Sequence, residues 1–198
     1  MADFFWVGNT GNWSDYANHW ATTDGGSTFR TNAPTSTDNC YITAASLSAT
    51  SVITLNATAS CAIFDSSAAD NQFTITGAVY TFNLYGSITM HATYTRWSLT
   101  GTSYFYVRGT GTITTNGNLF LTLNRFYIDG VGITVTNADD CNIGVTECRH
   151  ANGTWNQNGK NITTSGQYMT EAGTKTLTPN SSYFKVAAWT NTAPTNFT

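Results

Sequence analysis

Charge is scarce in this sequence. Only 10% of its 198 residues are charged, against about 25% in an average globular protein. The formal net charge is −3 and no basic run is present, which argues against nucleic acid as a partner. Hydrophobic residues still make up 40% of the chain, so the composition is that of a folded protein of one domain.

Long apolar runs and targeting signals are also lacking. No stretch approaches the roughly 20 apolar residues of a membrane-spanning helix, so we expect no membrane as a partner. The first residues lack the basic and long apolar regions of a secretory signal. We therefore expect synthesis in a cytoplasm, followed by residence there or by release in another way, such as assembly into a particle freed by lysis.

Sequence motifs for metals, cofactors and nucleophiles are missing. The four cysteines (Cys40, Cys61, Cys141 and Cys148) include no Cys-x-x-Cys pair. Buried structural thiols are favoured, with a disulfide as the alternative. Nucleophile elbows, phosphate-binding glycine loops and HExxH motifs are absent. We predict no cofactor.

What the sequence does contain is an internal repeat of 21 residues. Gly-Thr-Ile-Thr-Thr-Asn-Gly at 111–117 returns in related form at 132–138 and at 153–159. The aromatic segment 105–107 likewise precedes 126–128 by 21 residues. Such a period indicates a solenoid, although chance recurrence in a Thr/Gly/Asn-rich chain is the competing explanation. Runs of Thr, Ile, Val and aromatic residues broken by Gly are typical of short strands. The sequence thus predicts an all-β fold, a three-faced β-solenoid resembling a parallel β-helix.

Two side-chain stacks follow from this register. Asn116, Asn137 and Asn158 are predicted to form a structural ladder at one corner, where asparagine tolerates the left-handed backbone of a tight turn. On another face, Phe105 is expected over Phe126, with Tyr168 further along the same column.

Glu147 occupies the position between Phe126 and Tyr168 in that column. It interrupts the aromatic stack, so we expect the fourth coil to be irregular there or its face to point outward.

The amino-terminal part of the chain differs from the rest. We predict a capping or attachment segment at 1–45 and a solenoid with a short carboxy-terminal tail at 46–198. Because a solenoid leaves its end coils unpaired, aromatic residues at its start are well suited to cover an open end. The same residue types anchor protein interfaces. The candidate interface residues are Phe4, Phe5, Trp6, Trp13, Trp20 and Trp189.

The best enzyme candidate is an acidic group around Asp139 and Asp140, with Asp129, Glu147 and His150. Glycan-cleaving β-helices need two carboxylates on one face, about 5–10 Å apart. Adjacent residues of a strand point to opposite faces, so we favour a turn in which the aspartates cap backbone amides. No Gly-His-Gly or Arg-x-Lys pattern follows. We predict no catalytic residues.

Metal binding has two weak candidates. The segment 147–150 carries ligand-capable residues without spaced partners. The first loops offer oxygen ligands for Ca²⁺ but match no known loop; these are Asp15, Asp24, Asp38 and Asn39. We predict no metal site.

Several motifs together resemble a known group of proteins. They are Trp-x-Gly-x-x-Gly-x-Trp-Ser-Asp beginning at Trp6 and followed by Trp20, then Pro-Thr-Ser-x-Asp-Asn at 34–39, and the segments 61–65 and 153–163. The chain resembles repetitive β-proteins encoded by tailed bacteriophages. The resemblance implies a virion surface component, either a fibre or spike or a small protein that decorates the head, made in the host cytoplasm.

Three functions are compared on this basis. The first is a non-enzymatic virion structural protein, a capsid decoration (cement) protein bound to the major capsid protein or other virion proteins. Self-association as a homo-oligomer such as a trimer is compatible with it. The second is a receptor- or glycan-binding fibre or spike, and the third a glycan depolymerase. Low charge, the lack of a catalytic set and the absence of heptads favour the first.

Overall fold

A computed structural model describes residues 1–191, apart from the side chains at 119–122 and 191. Strand accounts for 52% of the structure and helix for 2%. The elements are β1 Asp3–Trp6, β2 Gly11–Asn12, α1 Tyr16–His19, β3 Trp20–Ala21, β4 Asn39–Tyr41, β5 Ser51–Thr54, β6 Ala59–Cys61, β7 Ile63–Asp65, β8 Phe73–Gly77, β9 Phe82–Leu84, β10 Ile88–Thr89, β11 Thr95–Val107, β12 Gly111–Thr114, β13 Leu119–Asn137, β14 Cys141–Asn156, β15 Ile162–Thr164, β16 Gln167–Thr170, β17 Lys175–Thr178, β18 Phe184–Lys185 and β19 Ala188–Asn191. None of the described helices is long and apolar enough to cross a bilayer.

Parallel pairing arranges these strands in three columns, which the chain visits in turn. Column I contains β1, β4, β7, β10, β12, the ends of β13 and β14, and β17. Column II contains β2, β5, β8, the first parts of β11, β13 and β14, then β15 and β18. Column III contains β6, β9, later parts of β11, β13 and β14, then β16 and β19. The molecule is a β-solenoid of about 7 turns with coils of about 22 residues, which confirms the predicted fold class.

Alternation of side chains produces the faces of the solenoid. In β8, Phe73, Ile75 and Gly77 are buried, while Thr74 and Thr76 between them are half-buried. Since successive residues of a strand point to opposite sides, the apolar set faces the axis and threonine covers the outside. This pattern explains how a chain with so little charge keeps a polar surface.

The aromatic stack of column III confirms the 21-residue register on that face. Phe105 pairs with Phe126, and their ring centroids lie 5.6 Å apart. Phe82 extends the stack at 5.2 Å from Phe105. The residue level with Phe126 in the next coil is Cys148. The interruption of the stack therefore comes from a buried thiol.

Glu147 does not occupy that inward position, contrary to the sequence register. It pairs with Arg125 in the preceding coil and lies beside the buried Cys148 on the outer side of the strand. The step from Phe126 to Cys148 is one residue longer than the sequence period. The fourth coil therefore keeps its inward column while the acid faces out.

The predicted Asn ladder is wrong at its central member. Column I pairs Ile113 with Asn137, so Asn137 is not level with Asn116. Asn137 is fully buried, and its Oδ1 accepts a hydrogen bond of 2.7 Å from Trp155 Nε1. Irregular pairing between Asp129 and 134 shifts the register of this coil, because a corner can hold extra residues without disturbing the strands.

Asn116 and Asn158 do adopt the predicted corner conformation. Their φ angles are +52° and +53°, and each is followed by a glycine with positive φ. Their amides donate to backbone carbonyls of the preceding coil, from Asn116 Nδ2 to Met90 O (2.8 Å) and from Asn158 Nδ2 to Asn137 O (3.2 Å). These side chains join coils through the backbone and do not stack on one another.

The amino-terminal segment is continuous with the solenoid. β1 pairs in parallel with β4, and β4 with β7, within column I. Residue 45 therefore does not separate a cap from the sheet. β3 returns antiparallel against β1 and brings Trp20 into the core. The part of the predicted tail beyond residue 191 lies outside the described residues.

One corner, between columns III and I, depends on glycine. A Cβ at Gly109 would lie 1.7 Å from the carbonyl oxygen of Tyr85 in the preceding coil. The other glycines of this corner approach carbonyl oxygens at distances that would also exclude a Cβ; they are Gly86, Gly130, Gly153 and Gly173. The coils can therefore stack closely here only without side chains.

Candidate functional site

The outer side of column III carries a concentration of tyrosine, arginine and carboxylate side chains. Local alternation places them there, because each flanks an inward residue such as Phe105, Phe126 or Cys148. Parallel pairing then aligns them from coil to coil. We call this set the tyrosine–arginine face: Tyr104, Tyr106, Arg108, Arg125, Tyr127, Asp129, Glu147, Arg149 and Glu171.

The tyrosine rings of this face are covered by their neighbours. Tyr106 stacks on Tyr127 with ring centroids 4.5 Å apart, and the guanidinium of Arg108 lies 4.2 Å from the Tyr106 centroid. Arg149 lies 5.5 Å from the Tyr127 centroid, and Tyr127 is itself buried. These rings stabilise guanidinium groups by cation–π contact and offer little flat surface to a ligand.

The charged groups form an alternating network along the axis. Glu147 accepts from Arg125 at 2.5 Å and from Arg149 at 2.6 Å, and Arg149 also donates to Glu171. The side chains of this chain of ion pairs are only 19–30% exposed. A single surface pair contributes little to stability, but shared partners hold each guanidinium in one orientation.

A second ion pair lies at the edge of the face. Arg108 donates to Asp129 at 3.2 Å and to Asn83 Oδ1 at 2.8 Å. With it, the face holds three arginines and three carboxylates, so its net charge is zero.

The protonation states of the face are fixed near neutral pH. Burial, with the nearby charge of Glu171, raises the pKa of Tyr127 to about 12. Burial lowers the pKa of Arg149, but hydrogen bonds to Glu171 and Glu147 outweigh this effect and produce a net rise. The tyrosine therefore stays neutral and the arginine charged.

The predicted acidic cluster does not come together. Asp139 accepts hydrogen bonds from Thr115 N (2.9 Å) and Thr115 Oγ1 (3.0 Å), and Asp140 accepts one from Asn161 N (2.8 Å). These contacts confirm that the two aspartates cap backbone amides at the corner between columns I and II. The other acids belong to the tyrosine–arginine face, on a different side of the solenoid.

His150 lies inside the solenoid and not at a surface site. It is fully buried, with Nδ1 2.9 Å from Tyr168 Oη and Nε2 2.9 Å from the carbonyl oxygen of Gly153. Burial lowers the pKa of His150 to about 4, because a buried imidazolium loses its hydration. The ring is therefore neutral and structural.

This burial predicts acid destabilisation. Below the ordinary pKa of 6.5, the unfolded chain binds a proton at His150 that the folded chain refuses until pH falls to about 4. Stability should therefore decrease between these values, by about 1.4 kcal/mol per pH unit for this residue. Urea unfolding of the wild type and His150→Gln at several pH values measures the effect, and the variant should show a shallower dependence. Parallel pH profiles would contradict it.

Neither metal candidate is assembled. Among the described residues, no three His, Cys, Asp or Glu side chains come close enough together to hold a metal ion. The loop acids have separate partners, since Asp15 accepts from Asn18 and Asp38 accepts from Thr35.

The cysteines are likewise structural. All four are buried and free, and burial raises the pKa of the Cys141 and Cys148 thiols. A raised pKa disfavours the thiolate that acts as a nucleophile or metal ligand.

Most of the predicted interface residues lie in the core. Phe4, Trp6, Trp13 and Trp20 are at most 1% exposed, so their assignment to a contact surface is wrong. They pack on one another instead, with Trp20 5.1 Å from Trp6 and 4.9 Å from Trp13. Phe5 is half-buried and stacks on Tyr41 at 5.0 Å.

Trp189 is the exposed member of the predicted set, with 48% of its surface accessible. The tyrosine–arginine face was missed, although its signal is visible in the sequence: polar aromatic and basic residues alternate with the repeated apolar positions of column III.

Comparison with protein-family models, with curated proteins and with solved structures finds no match to this chain. Function is therefore inferred from the residues and their geometry.

Proposed function

We propose that this chain is a non-enzymatic structural protein of a tailed-bacteriophage particle, a decoration protein that binds the major capsid protein on the head surface. The motifs that resemble phage β-proteins support the setting. The observation that supports a binding role most directly is the tyrosine–arginine face, which spans several coils of a rigid solenoid.

The chemistry of this face suits a folded protein as the occupant. Tyrosine and arginine are enriched at the energetically dominant positions of protein interfaces. Here their side chains are already held by stacking and ion pairs, so binding immobilises little that was mobile. A net charge of zero with both signs present suits a partner surface of mixed charge, to which it offers complementary pairs.

A lattice partner also relaxes the demand on each contact. Many copies on one particle multiply a small interface, and each copy can then bury a modest area. If neighbouring copies touch one another, binding gains further through effective concentration.

The arrangement of carboxylates does not favour a glycan depolymerase. Such enzymes need one carboxyl group that is protonated and a second on the same face. Glu147 and Glu171 both accept from the guanidinium of Arg149, which favours their ionised form. Asp139 and Asp140 are engaged with amides at another corner.

A glycan-binding role is the second candidate. A depression at the corner between columns I and II favours it, because an exposed ring and several amide and carboxylate groups line it.

Particle binding tests the proposal. Purified protein is added to particles of its own phage that lack it, and bound protein is measured by cosedimentation. We expect the double variant Tyr104→Ala/Arg125→Gln to bind at least about tenfold more weakly, because it removes a ring and a guanidinium from the centre of the face.

Arg96→Gln is the matched control. Arg96 is an exposed arginine on the outer side of column II, and its replacement should leave binding unchanged. Melting temperatures establish that both variants are folded. Equal binding by the double variant and the control would contradict the assignment of the face, and failure of the wild type to bind would overturn the proposed function.

A further inference from the structure

A depression of about 230 Å³ lies on the surface at the corner between columns I and II. It is away from the tyrosine–arginine face, which belongs to column III. Besides the edge of the buried Cys141, its lining residues are Gly117, Asp140, Asn142, Asn161, Thr163 and Tyr183.

The repeat itself builds this depression. Pairing of Cys141 with Ile162, and of Ile162 with Phe184, places the preceding residues of the three coils level with one another. Asp140, Asn161 and Tyr183 therefore follow one another along the axis, at about 4.8 Å per coil.

Two of these side chains are held in place by hydrogen bonds. Asp140 Oδ1 accepts from Asn161 N at 2.8 Å, and Asp140 Oδ2 accepts from Asn161 Nδ2 at 3.2 Å. Asn161 Oδ1 in turn accepts from Tyr183 N at 3.3 Å. A carboxylate oxygen and an amide oxygen have two lone pairs each, and an amide nitrogen two hydrogens. Each group thus keeps capacity for a ligand while its orientation is fixed.

Tyr183 gives the depression an open aromatic surface. Its side chain belongs to a residue that is 56% exposed, in contrast to Tyr106, whose ring is covered by Tyr127 and Arg108. Asn142, on the next coil but one, is also exposed.

We propose that this depression is a binding site for a neutral pyranose unit of a saccharide. A pyranose has an apolar C–H face, which packs on an aromatic ring, and hydroxyl groups at its edge, which need donors and acceptors together. Tyr183 supplies the ring, Asp140 accepts from hydroxyl groups, and the amides of Asn142 and Asn161 both donate and accept. The negative charge of Asp140, with no arginine or lysine in the lining, disfavours acidic sugars.

Saturation-transfer NMR with the full chain tests this site. The probes are the methyl glycosides of glucose, galactose, mannose and N-acetylglucosamine, with methyl glucuronide as the acidic comparison. We expect at least one neutral glycoside to bind and methyl glucuronide to bind more weakly. Tyr183→Ala and Asn142→Ala should each weaken binding of the neutral glycoside by about tenfold or more.

The matched control is Tyr80→Ala, because Tyr80 is an exposed tyrosine (38%) at a different corner. It should bind like the wild type, and all variants are compared by melting temperature. The proposal is overturned if no neutral glycoside binds, if the glucuronide binds more tightly, or if binding survives Tyr183→Ala. Since the site is separate from the tyrosine–arginine face, Tyr183→Ala should keep full particle binding, and either proposal can fail without the other.

Discussion

Replacing Trp20 with alanine is expected to lower the free energy of unfolding by about 3–5 kcal/mol, the usual cost of truncating a buried large aromatic side chain. Trp20 is fully buried, contacts Phe4, Trp6 and Trp13 edge to face, and donates through Nε1 to Trp13 O at 2.8 Å. Its removal leaves a cavity where the amino-terminal segment joins the first coils. Urea unfolding followed by circular dichroism measures the loss.

Trp189→Ala is the matched control for this prediction. Trp189 was assigned with Trp20 to one contact surface, but it is 48% exposed and packs on Tyr168 at 4.7 Å. Its replacement should cost less than half as much, because less apolar surface leaves water on folding. Equal losses would show that the two tryptophans are similarly placed. Such a result would remove the distinction between a core residue and a surface residue.

The burial of these tryptophans shows what an aromatic segment cannot reveal by itself. The same residue types cover the end of a solenoid and anchor a protein contact, so composition leaves both open. The decision depends on the antiparallel return of β3 against β1, which pairs Trp6 with Trp20. That pairing joins residues 14 apart through an irregular segment, where no periodic signal exists.

The fold class was predictable because the solenoid repeats its inward residues. Phe105 and Phe126 fall at equal positions of the sequence repeat and pair in the structure. The Asn positions failed because corners vary in length: column I takes a step of 24 residues from Ile113 to Asn137. A motif at a corner is thus a weaker guide to register than one inside a strand.

The candidate sites were only partly predictable for a related reason. Alternation within a strand places Tyr104 and Tyr106 on the outside, which sequence alone can indicate. The ion pairs of Glu147 with Arg125 and Arg149 depend on the pairing between coils, where the step from Phe126 to Cys148 is one residue longer than the sequence period. An error of one residue moves Glu147 from the surface to the core.

The corner between columns III and I gives the last prediction, Gly109→Ala. The added Cβ would lie 1.7 Å from Tyr85 O and 2.3 Å from the carbonyl carbon of the same residue. Both are backbone atoms of the coil below, which cannot rotate away as a side chain can. Relief requires the two coils to separate and their parallel pairing to weaken. We expect a loss of about 3 kcal/mol or more, at or above the upper end of overpacking effects, measured by urea unfolding.

Gly117→Ala distinguishes this clash from the general effect of losing a glycine. Gly117 has a φ of +79°, and a Cβ there would meet no atom within 4 Å. Its replacement should therefore cost only the backbone strain of the left-handed region, about 1–2 kcal/mol. If Gly109→Ala is as stable as Gly117→Ala, the coils at this corner are not in close backbone contact, and close stacking through glycine is not what allows the chain to turn there.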